Sequence, residues 1–305
     1  MKTKILFLAL LLATGVFAQQ DAQYTQYMYN TLNVNPAYTG TRGVMSVFAL
    51  HRTQWVGLEG APVTNTASIS SPIENSKFGI GLSIINDRIG ISDETNIAGD
   101  IAYTIQTSVD YKLSFGLKLT ANLLSADFGR LRYINEVDRL YYQQFTLSNK
   151  FSGNIGAGIY YFSDKMYFGL SVPQFLETKH YKDDLKTVAS EKMHYYFIAG
   201  RVFDLTDNVK LKPSLLTKLV SGAPLQVDLS ANFMINEKFH IGGAYRWSAA
   251  LSAMVGFQID KSWFIGYGYD RETTSLSNYN SGSHEIFLRY ELFKNYDKII
   301  SPRFF

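Results

Sequence analysis

The chain has 305 residues and is rich in aromatic side chains, with 21 Tyr and 21 Phe. Basic and acidic residues nearly balance at 29 and 26, so the charge gives no argument for a nucleic-acid partner. The absence of cysteine excludes disulfides and thiolate metal sites.

The first predicted element is a secretory leader over residues 1–18. Two lysines precede an apolar run at residues 5–12, and residues 16–18 form a small-x-small cleavage site. The apolar run is too short to cross a membrane as a helix. We therefore expect the leader to be removed and the mature chain to be exported.

Residues 19–42 follow and lack the alternation of a β-strand. Apolar and aromatic residues recur there at spacings of three and four, which predicts a short amphipathic helix that ends at Asn35-Pro36. The segment is either a plug or latch at the periplasmic mouth of the barrel predicted next, or a flexible leader. The candidate packing residues are Tyr24, Tyr27, Met28, Pro36 and Tyr38.

Residues 43–294 repeat a pattern in which every second side chain is mostly apolar. In the run 113–123, leucine, phenylalanine and alanine alternate with smaller or polar residues, and a period of two indicates a strand with two unlike faces. Many runs have about ten residues, the length at which a tilted strand crosses a bilayer. The alternative is a large soluble antiparallel sheet, whose strands usually have about five or six residues.

We therefore predict an all-β protein: a transmembrane antiparallel up-and-down β-barrel of about fourteen strands, with a short N-terminal periplasmic or plug segment. Residues 295–305 form a C-terminal tail. Residues 192–203 resemble a strand without clear faces, and Pro213 within the run 209–219 predicts a bulge.

The lengths of the connections predict which end of the barrel faces the periplasm. If residues 44–52 form the first upward strand, downward strands end in short turns and upward strands end in longer loops. Barrels of this class keep short turns periplasmic, so we predict that both termini are periplasmic. The short turns lie at 163–164, 204–208, 236–237 and 260–261, and the longer loops at 126–148, 173–190 and 272–281.

The polar faces of the strands carry charges that would each cost about 2–4 kcal/mol at the lipid midplane, so we assign them to the lumen. They either line an ion- or solute-selective pore or form pairs that brace a barrel occluded by its own side chains and loops. Their mixed signs favour bracing. The assigned lumen charges are Lys112, Lys118, Lys210, Lys212, Asp228, Arg246, Asp270, Glu285 and Arg289.

The two longest loops carry many aromatic and aliphatic residues, which are costly to leave in water outside a strand. They either bind a partner at the outer surface or fold over the barrel mouth as a cap. The candidate partner-binding residues are Phe128, Tyr133, Tyr141, Tyr142 and Phe145 in the first loop and Phe175 and Tyr181 in the second.

The chain carries no pattern that predicts catalysis. Its five histidines lack the spacing of a metal-binding helix, and the adjacent Ser283 and His284 would face opposite sides of a strand. Gly-x-Gly pairs at 79/81, 156/158 and 266/268 lie inside strands, where they would let bulky lumen residues or a plug approach the wall. We expect no enzymatic activity, cofactor or metal.

Six short motifs, in this order and over nearly the whole mature chain, give a resemblance to the PorP/SprF family. In addition, Pro-Arg-Phe-Phe at 302–305 is similar to a C-terminal tail seen in that family. The motifs are Gln-Tyr-Met-Tyr-Asn at 26–30, Asn-Pro-Ala-Tyr-Thr-Gly at 35–40, Arg-x-Gln-Trp at 52–55, Gly-Ala-Pro-x-Thr at 60–64, Gly-Tyr-x-Tyr-Asp at 266–270 and Gly-Ser-His-Glu-Ile at 282–286.

The resemblance implies an outer-membrane barrel of the type IX secretion system. Some members of that family serve the export or surface attachment of large adhesins, including those of gliding motility. We therefore expect an accessory barrel, surrounded by outer-membrane lipid, that binds a secreted adhesin-like surface protein. Other type IX secretion or peptidoglycan-associated periplasmic components are further expected partners. The alternative, which rests on the barrel alone, is a porin-like or hydrophobic-solute channel.

Overall fold

The computed structural model describes residues 27–130, 146–176, 192–293 and 301–304, so the predicted leader lies outside the described residues. Helical structure in these ranges is short, and none of it is long and apolar enough to span a membrane. One α-helical turn, α1, spans Thr31–Val34, and 3₁₀ turns lie at Pro36–Tyr38, Phe128–Arg130, Ser275–Asn278 and Pro302–Phe304.

Fifteen β-strands in the described residues form one antiparallel sheet, which closes because the first strand pairs with the last. The strands are β1 (Met45–Thr53), β2 (Val63–Pro72), β3 (Phe78–Ile89), β4 (Ser92–Gln106), β5 (Lys112–Ala126), β6 (Leu147–Phe162), β7 (Met166–Val172), β8 (His194–Arg201), β9 (Phe203–Thr206), β10 (Val209–Val220), β11 (Gln226–Ile235), β12 (Phe239–Arg246), β13 (Ala250–Gln258), β14 (Trp263–Glu272) and β15 (Ser283–Leu292).

Strands β8 and β9 occupy one position in the barrel, because both pair with β10. The described chain therefore forms a closed barrel of fourteen strand positions, which confirms the predicted fold and strand number. The interruption lies opposite Pro213, between the pairs Ser214↔Gly200 and Leu211↔Phe203. Proline has no backbone N–H to donate, so the ladder stops there.

The bulge predicted at Pro213 is wrong. The register between β10 and β11 runs through the pair Pro213↔Ala231 without a shift. A register shift occurs instead between β10 and β9, at Val209 and Lys210. The strand therefore accommodates proline by losing a hydrogen bond on one side rather than by adding a residue.

Side-chain burial alternates along the strands in the direction expected of a membrane barrel. Leu117 faces outward with 62% of its surface exposed, whereas the next residue, Lys118, is 6% exposed on the inner face. The same alternation of exposed apolar and buried side chains recurs in β1 and β14. Large apolar side chains thus cover the outside, where lipid would contact them, and the inside is filled by polar side chains together with a cluster of buried aromatic and aliphatic ones.

The connections divide the barrel into two unlike ends. The short-turn end carries the six connections at 73–77, 107–111, 163–165, 207–208, 236–238 and 259–262, and β1 begins and β15 ends there. The opposite, long-loop end carries the connections at 54–62, 127–146, 173–193, 221–225 and 273–282, together with two short turns at 90–91 and 247–249. Long connections are therefore found at one end only, although not every connection at that end is long.

Candidate functional site

The segment 27–42, called here the plug, lies inside the barrel at its short-turn half. Its backbone is held by the wall formed by β5, β6 and β7. Lys118 Nζ donates to the Leu32 carbonyl at 3.4 Å, and Ser171 Oγ donates to the Val34 carbonyl at 2.8 Å. The side chain of Asn35 also contributes, since its Nδ2 donates to the Ile159 carbonyl at 3.0 Å. These bonds satisfy plug groups that burial removes from water.

Glycines in the wall make this close approach possible. A Cβ added to Gly116 would lie 2.2 Å from the Ala37 nitrogen, and one on Gly79 would lie 2.5 Å from the Thr39 carbonyl oxygen. A Cβ on Gly158 would lie 2.1 Å from Asn35 Oδ1. The structure thus gives a physical reason for glycine in these strands, where it otherwise weakens a sheet.

The plug reaches the opposite wall through Tyr29. Its ring stacks on Phe264 of β14 at a centroid distance of 5.5 Å and lies 4.9 Å from the ring of Phe287 in β15. Its hydroxyl forms a hydrogen bond with His240 Nδ1 of β12 at 3.3 Å. Burial raises the pKa of Tyr29 and of Tyr27 above the ordinary value, so both phenols stay protonated inside the barrel.

The C-terminal residues 301–304 close the short-turn end beside the plug. The Arg303 guanidinium donates to the Thr41 carbonyl at 2.8 Å and lies over the Phe162 ring at 4.1 Å. Lys212 Nζ donates to the Arg303 carbonyl at 3.3 Å. Both described chain ends therefore meet inside the same end of the barrel.

Ion pairs brace the lumen both beside the plug and nearer the long-loop end. Arg52 lies 2.7 Å from Asp270 and 3.1 Å from Glu285, and all three side chains are buried. Lys118 pairs with Asp100 at 3.1 Å across β4 and β5. Charges of opposite sign on facing strand positions stabilise a sheet, and pairing offsets the cost of removing them from water.

The predicted lumen charges occupy two environments. Lys112 is exposed at the short-turn rim, and Lys210, near the same rim but on β10, lies 3.7 Å from Glu237, whose side chain is exposed. The others are buried inside the barrel, namely Lys118, Lys212, Asp228, Arg246, Asp270, Glu285 and Arg289.

The sequence analysis missed three arginines that connect separate elements: Arg42, Arg52 and Arg303. Arg52 alternates in phase with the buried Phe48 and Leu50 of β1, so the period of two could have placed it inside. Arg42 and Arg303 lie outside strands, where this signal does not exist.

The predicted partner-binding residues are only partly described. Phe175 is exposed at the long-loop end, and its backbone N–H donates to the Ile155 carbonyl at 2.8 Å. Phe128 is half-buried in a 3₁₀ turn that follows β5. The other candidates fall outside the described residues, namely Tyr133, Tyr141, Tyr142, Phe145 and Tyr181, as does Tyr24 of the N-terminal segment.

The motif at 283–285 is divided between the two faces of β15. Ser283 is buried on the inner face and accepts a hydrogen bond from the Trp55 N–H at 3.2 Å. His284 lies on the outer face, where its ring hydrogen-bonds the Tyr267 hydroxyl at 2.6 Å. In the described part of the chain, no group of three or more His, Asp or Glu residues is placed to hold a metal.

A closed antiparallel barrel with an apolar outer face and a polar, filled interior defines the class of outer-membrane β-barrels. A deltaS2S3 mutant of the monoaromatic hydrocarbon channel TodX shares the fold at a TM-score of 0.52 and 11% identity, over 88% of this chain and 94% of that one. The monoaromatic hydrocarbon channel CymD aligns at 0.48 and 11% identity, over 91% and 95%. A FadL homologue from Pseudomonas aeruginosa aligns at 0.45 and 12% identity, over 93% and 97%.

Residues 16–290 match the family described as type IX secretion system membrane protein PorP/SprF. The chain therefore belongs to the PorP/SprF family, as its motifs indicated, and is an outer-membrane barrel associated with type IX secretion. No curated protein sequence matches it.

Proposed function

We propose that this barrel is an accessory component of type IX secretion that supports the export or surface attachment of a secreted protein such as a gliding adhesin. It acts by binding rather than by catalysis. The observation that carries this proposal is the plug, which contacts β5–β7 on one side and β12, β14 and β15 on the other. A lumen filled by the chain itself favours a binding scaffold over an open conduit.

The two ends of the barrel suit different partners. The long connections at one end supply adaptable surface of the kind that binding sites use, and we assign that end to the cell exterior and to the secreted protein. The short-turn end carries the plug and the C-terminal residues. We assign it to the periplasm and to other secretion or peptidoglycan-associated components.

The outer-loop aromatics provide the test for client binding. We expect Tyr141→Ala with Tyr142→Ala to leave folded barrel in the outer membrane while the secreted protein is lost from the cell surface or shed into the medium. The matched control is Tyr279→Ala, which removes an exposed aromatic from a different connection at the same end. Normal surface display in the double variant would contradict a binding role for this loop.

A conductance measurement distinguishes the proposal from the porin-like or hydrophobic-solute channel. We expect purified full-length barrel in planar bilayers to show no large, stable open state, because the plug fills the short-turn half of the lumen. A large and persistent single-channel conductance of the intact protein would favour the channel instead.

A further inference from the structure

A small enclosed gap lies between the plug and the wall at β1, β2 and β15. Tyr29, Asn30, Tyr38 and Arg42 border it from the plug side. Its volume is about 20 Å³, which is enough for one particle of about the size of water and too small for a polyatomic ligand.

The lining of the gap is rich in hydrogen-bond donors. Arg42 and Arg289 both border it, and a guanidinium can only donate. Both arginines contact the same carboxylate, since Glu291 Oε1 lies 2.5 Å from Arg42 Nε and 3.4 Å from Arg289 Nε. Wall hydroxyls from Ser46, Ser68 and Ser70 complete the polar part of the lining.

Asn30 is the second, independent sign that the gap holds a ligand. Its side chain is 2% exposed, and neither its Nδ2 nor its Oδ1 has a hydrogen-bond partner within the described part of the chain. A buried amide without a partner is costly, so native structures rarely retain one unless an ion or a water completes it. Asn30 borders the gap and can donate into it through Nδ2.

We propose that the gap binds one monovalent anion of about the size of chloride. The two guanidinium groups outnumber the single Glu291 carboxylate that they share, so the net positive charge beside the gap disfavours a cation, and sulfate, phosphate or a carboxylate would not fit. A water could complete the Asn30 amide, but an anion also gains from the excess arginine charge, which acts strongly in a water-poor site. Because its ligands come from both plug and wall, the anion would hold the plug in place.

Anomalous diffraction provides the direct test. Crystals of the intact barrel grown or soaked in sodium bromide should show a single anomalous peak in the gap, within hydrogen-bond distance of Asn30 Nδ2. This experiment needs no variant, so it does not depend on the folding of a mutant. Density for a water with no anomalous signal in the gap would overturn the proposal.

Thermal unfolding of purified barrel tests the linkage to stability. A ligand that binds only the folded state raises the free energy of unfolding by RT ln(1 + [L]/Kd). At constant ionic strength, the melting temperature should therefore rise with the logarithm of the chloride or bromide concentration above the Kd, relative to gluconate, which is too large for the gap. Identical melting curves in chloride and gluconate would contradict a bound halide.

A matched pair of plug variants assigns the effect to this gap. Asn30→Leu should abolish the melting-temperature increment that chloride gives, because it replaces the amide donor by methyl groups with the same branching. Asn33→Leu is the control, since Asn33 also has a side-chain amide without a hydrogen-bond partner among the described residues but does not border the gap. Equal chloride increments in the two variants would place the anion elsewhere.

Discussion

At the scale of single residues, Arg52 is the cation that pairs with the buried carboxylates on the inner face of β14 and β15. It lies between Asp270 and Glu285, which are buried on neighbouring strands. Both carboxylates are in the six-motif pattern of the sequence, as is Arg52 itself. The pattern therefore contains an ion-pair cluster that connects the first strand to the last two.

We expect Arg52→Leu to lower the free energy of unfolding by about 3–5 kcal/mol, because it leaves two buried carboxylates without this cation. Urea unfolding of the purified barrel measures the change. Arg88→Leu is the control: its pair with Asp93 is 62% and 38% exposed, and an exposed pair contributes at most about 1 kcal/mol. Equal losses in the two variants would contradict a special role for the buried cluster.

The sequence predicts on which face of a strand a charged residue lies, but it does not predict the residue with which it forms an ion pair. The period of two places Asp270, Glu285 and Arg289 inside the barrel, because a strand alternates its faces. The partner of Asp270 is Arg52, more than two hundred residues earlier, and the two meet only because β1 closes the sheet against β15. A contact that depends on closure and register has no local signal.

At the scale of elements, the plug and the wall at β5–β7 are complementary surfaces. Gly116 leaves room on the wall that the backbone of Pro36 and Ala37 fills, and Gly158 leaves room for the side chains of Asn35 and Pro36. The plug belongs to the same chain that forms the wall, so these contacts are intramolecular.

Gly116→Val should displace the plug, because its Cβ would lie only 2.2 Å from the Ala37 nitrogen. The expected result is a folded barrel with raised single-channel conductance and with trypsin cleavage at Arg42, which is buried in the native protein. Gly153→Val is the matched control in the neighbouring strand, since a Cβ there meets none of the described residues within 4 Å. A protected Arg42 and unchanged conductance in Gly116→Val would show that the plug tolerates the added volume.

The sequence indicated the plug but not its mode of attachment. The non-alternating segment and the break at Asn35-Pro36 agree with a short helix at Thr31–Val34 followed by a 3₁₀ turn. The close approach to Gly116 follows from packing that no periodicity encodes. The same holds for Arg303, whose contact with Thr41 joins two segments at opposite ends of the chain.

At the scale of the whole molecule, the two unlike ends of the barrel predict its orientation in the outer membrane. Short turns occupy one end, and the three longest connections occupy the other. The rule that short turns face the periplasm then places both chain ends there. The direction of insertion stays a prediction.

Cysteine labelling of intact cells tests that orientation, and the native chain contains no cysteine that could interfere. We expect a membrane-impermeant thiol reagent to label Asn278→Cys at the long-loop end and to leave Glu237→Cys at the short-turn end unmodified. Both native residues are exposed in the structure, so burial would not explain a difference. Labelling at 237 but not at 278 would require the opposite orientation.

Fold class and strand number were the most predictable properties of the whole molecule. They depend on repeated local alternation, which a long, half-buried strand imposes on the sequence again and again. The single barrel strand that divides into β8 and β9 escaped a clear prediction, because the proline that interrupts it lies in the neighbouring strand. An effect that crosses strands cannot be found by examining one strand at a time.

The filled interior also has a consequence for how the gene tolerates substitution. Phe264 is fully buried among fixed neighbours, including Tyr29 and Phe287, whereas Ile265 faces outward. An inner residue must match a cavity of set shape, but an outer one meets fluid lipid, which adapts to any apolar side chain. Saturation mutagenesis scored by folded protein should therefore give alternating profiles along each strand: outer positions accept leucine, valine or phenylalanine alike, and inner positions accept almost only the native volume.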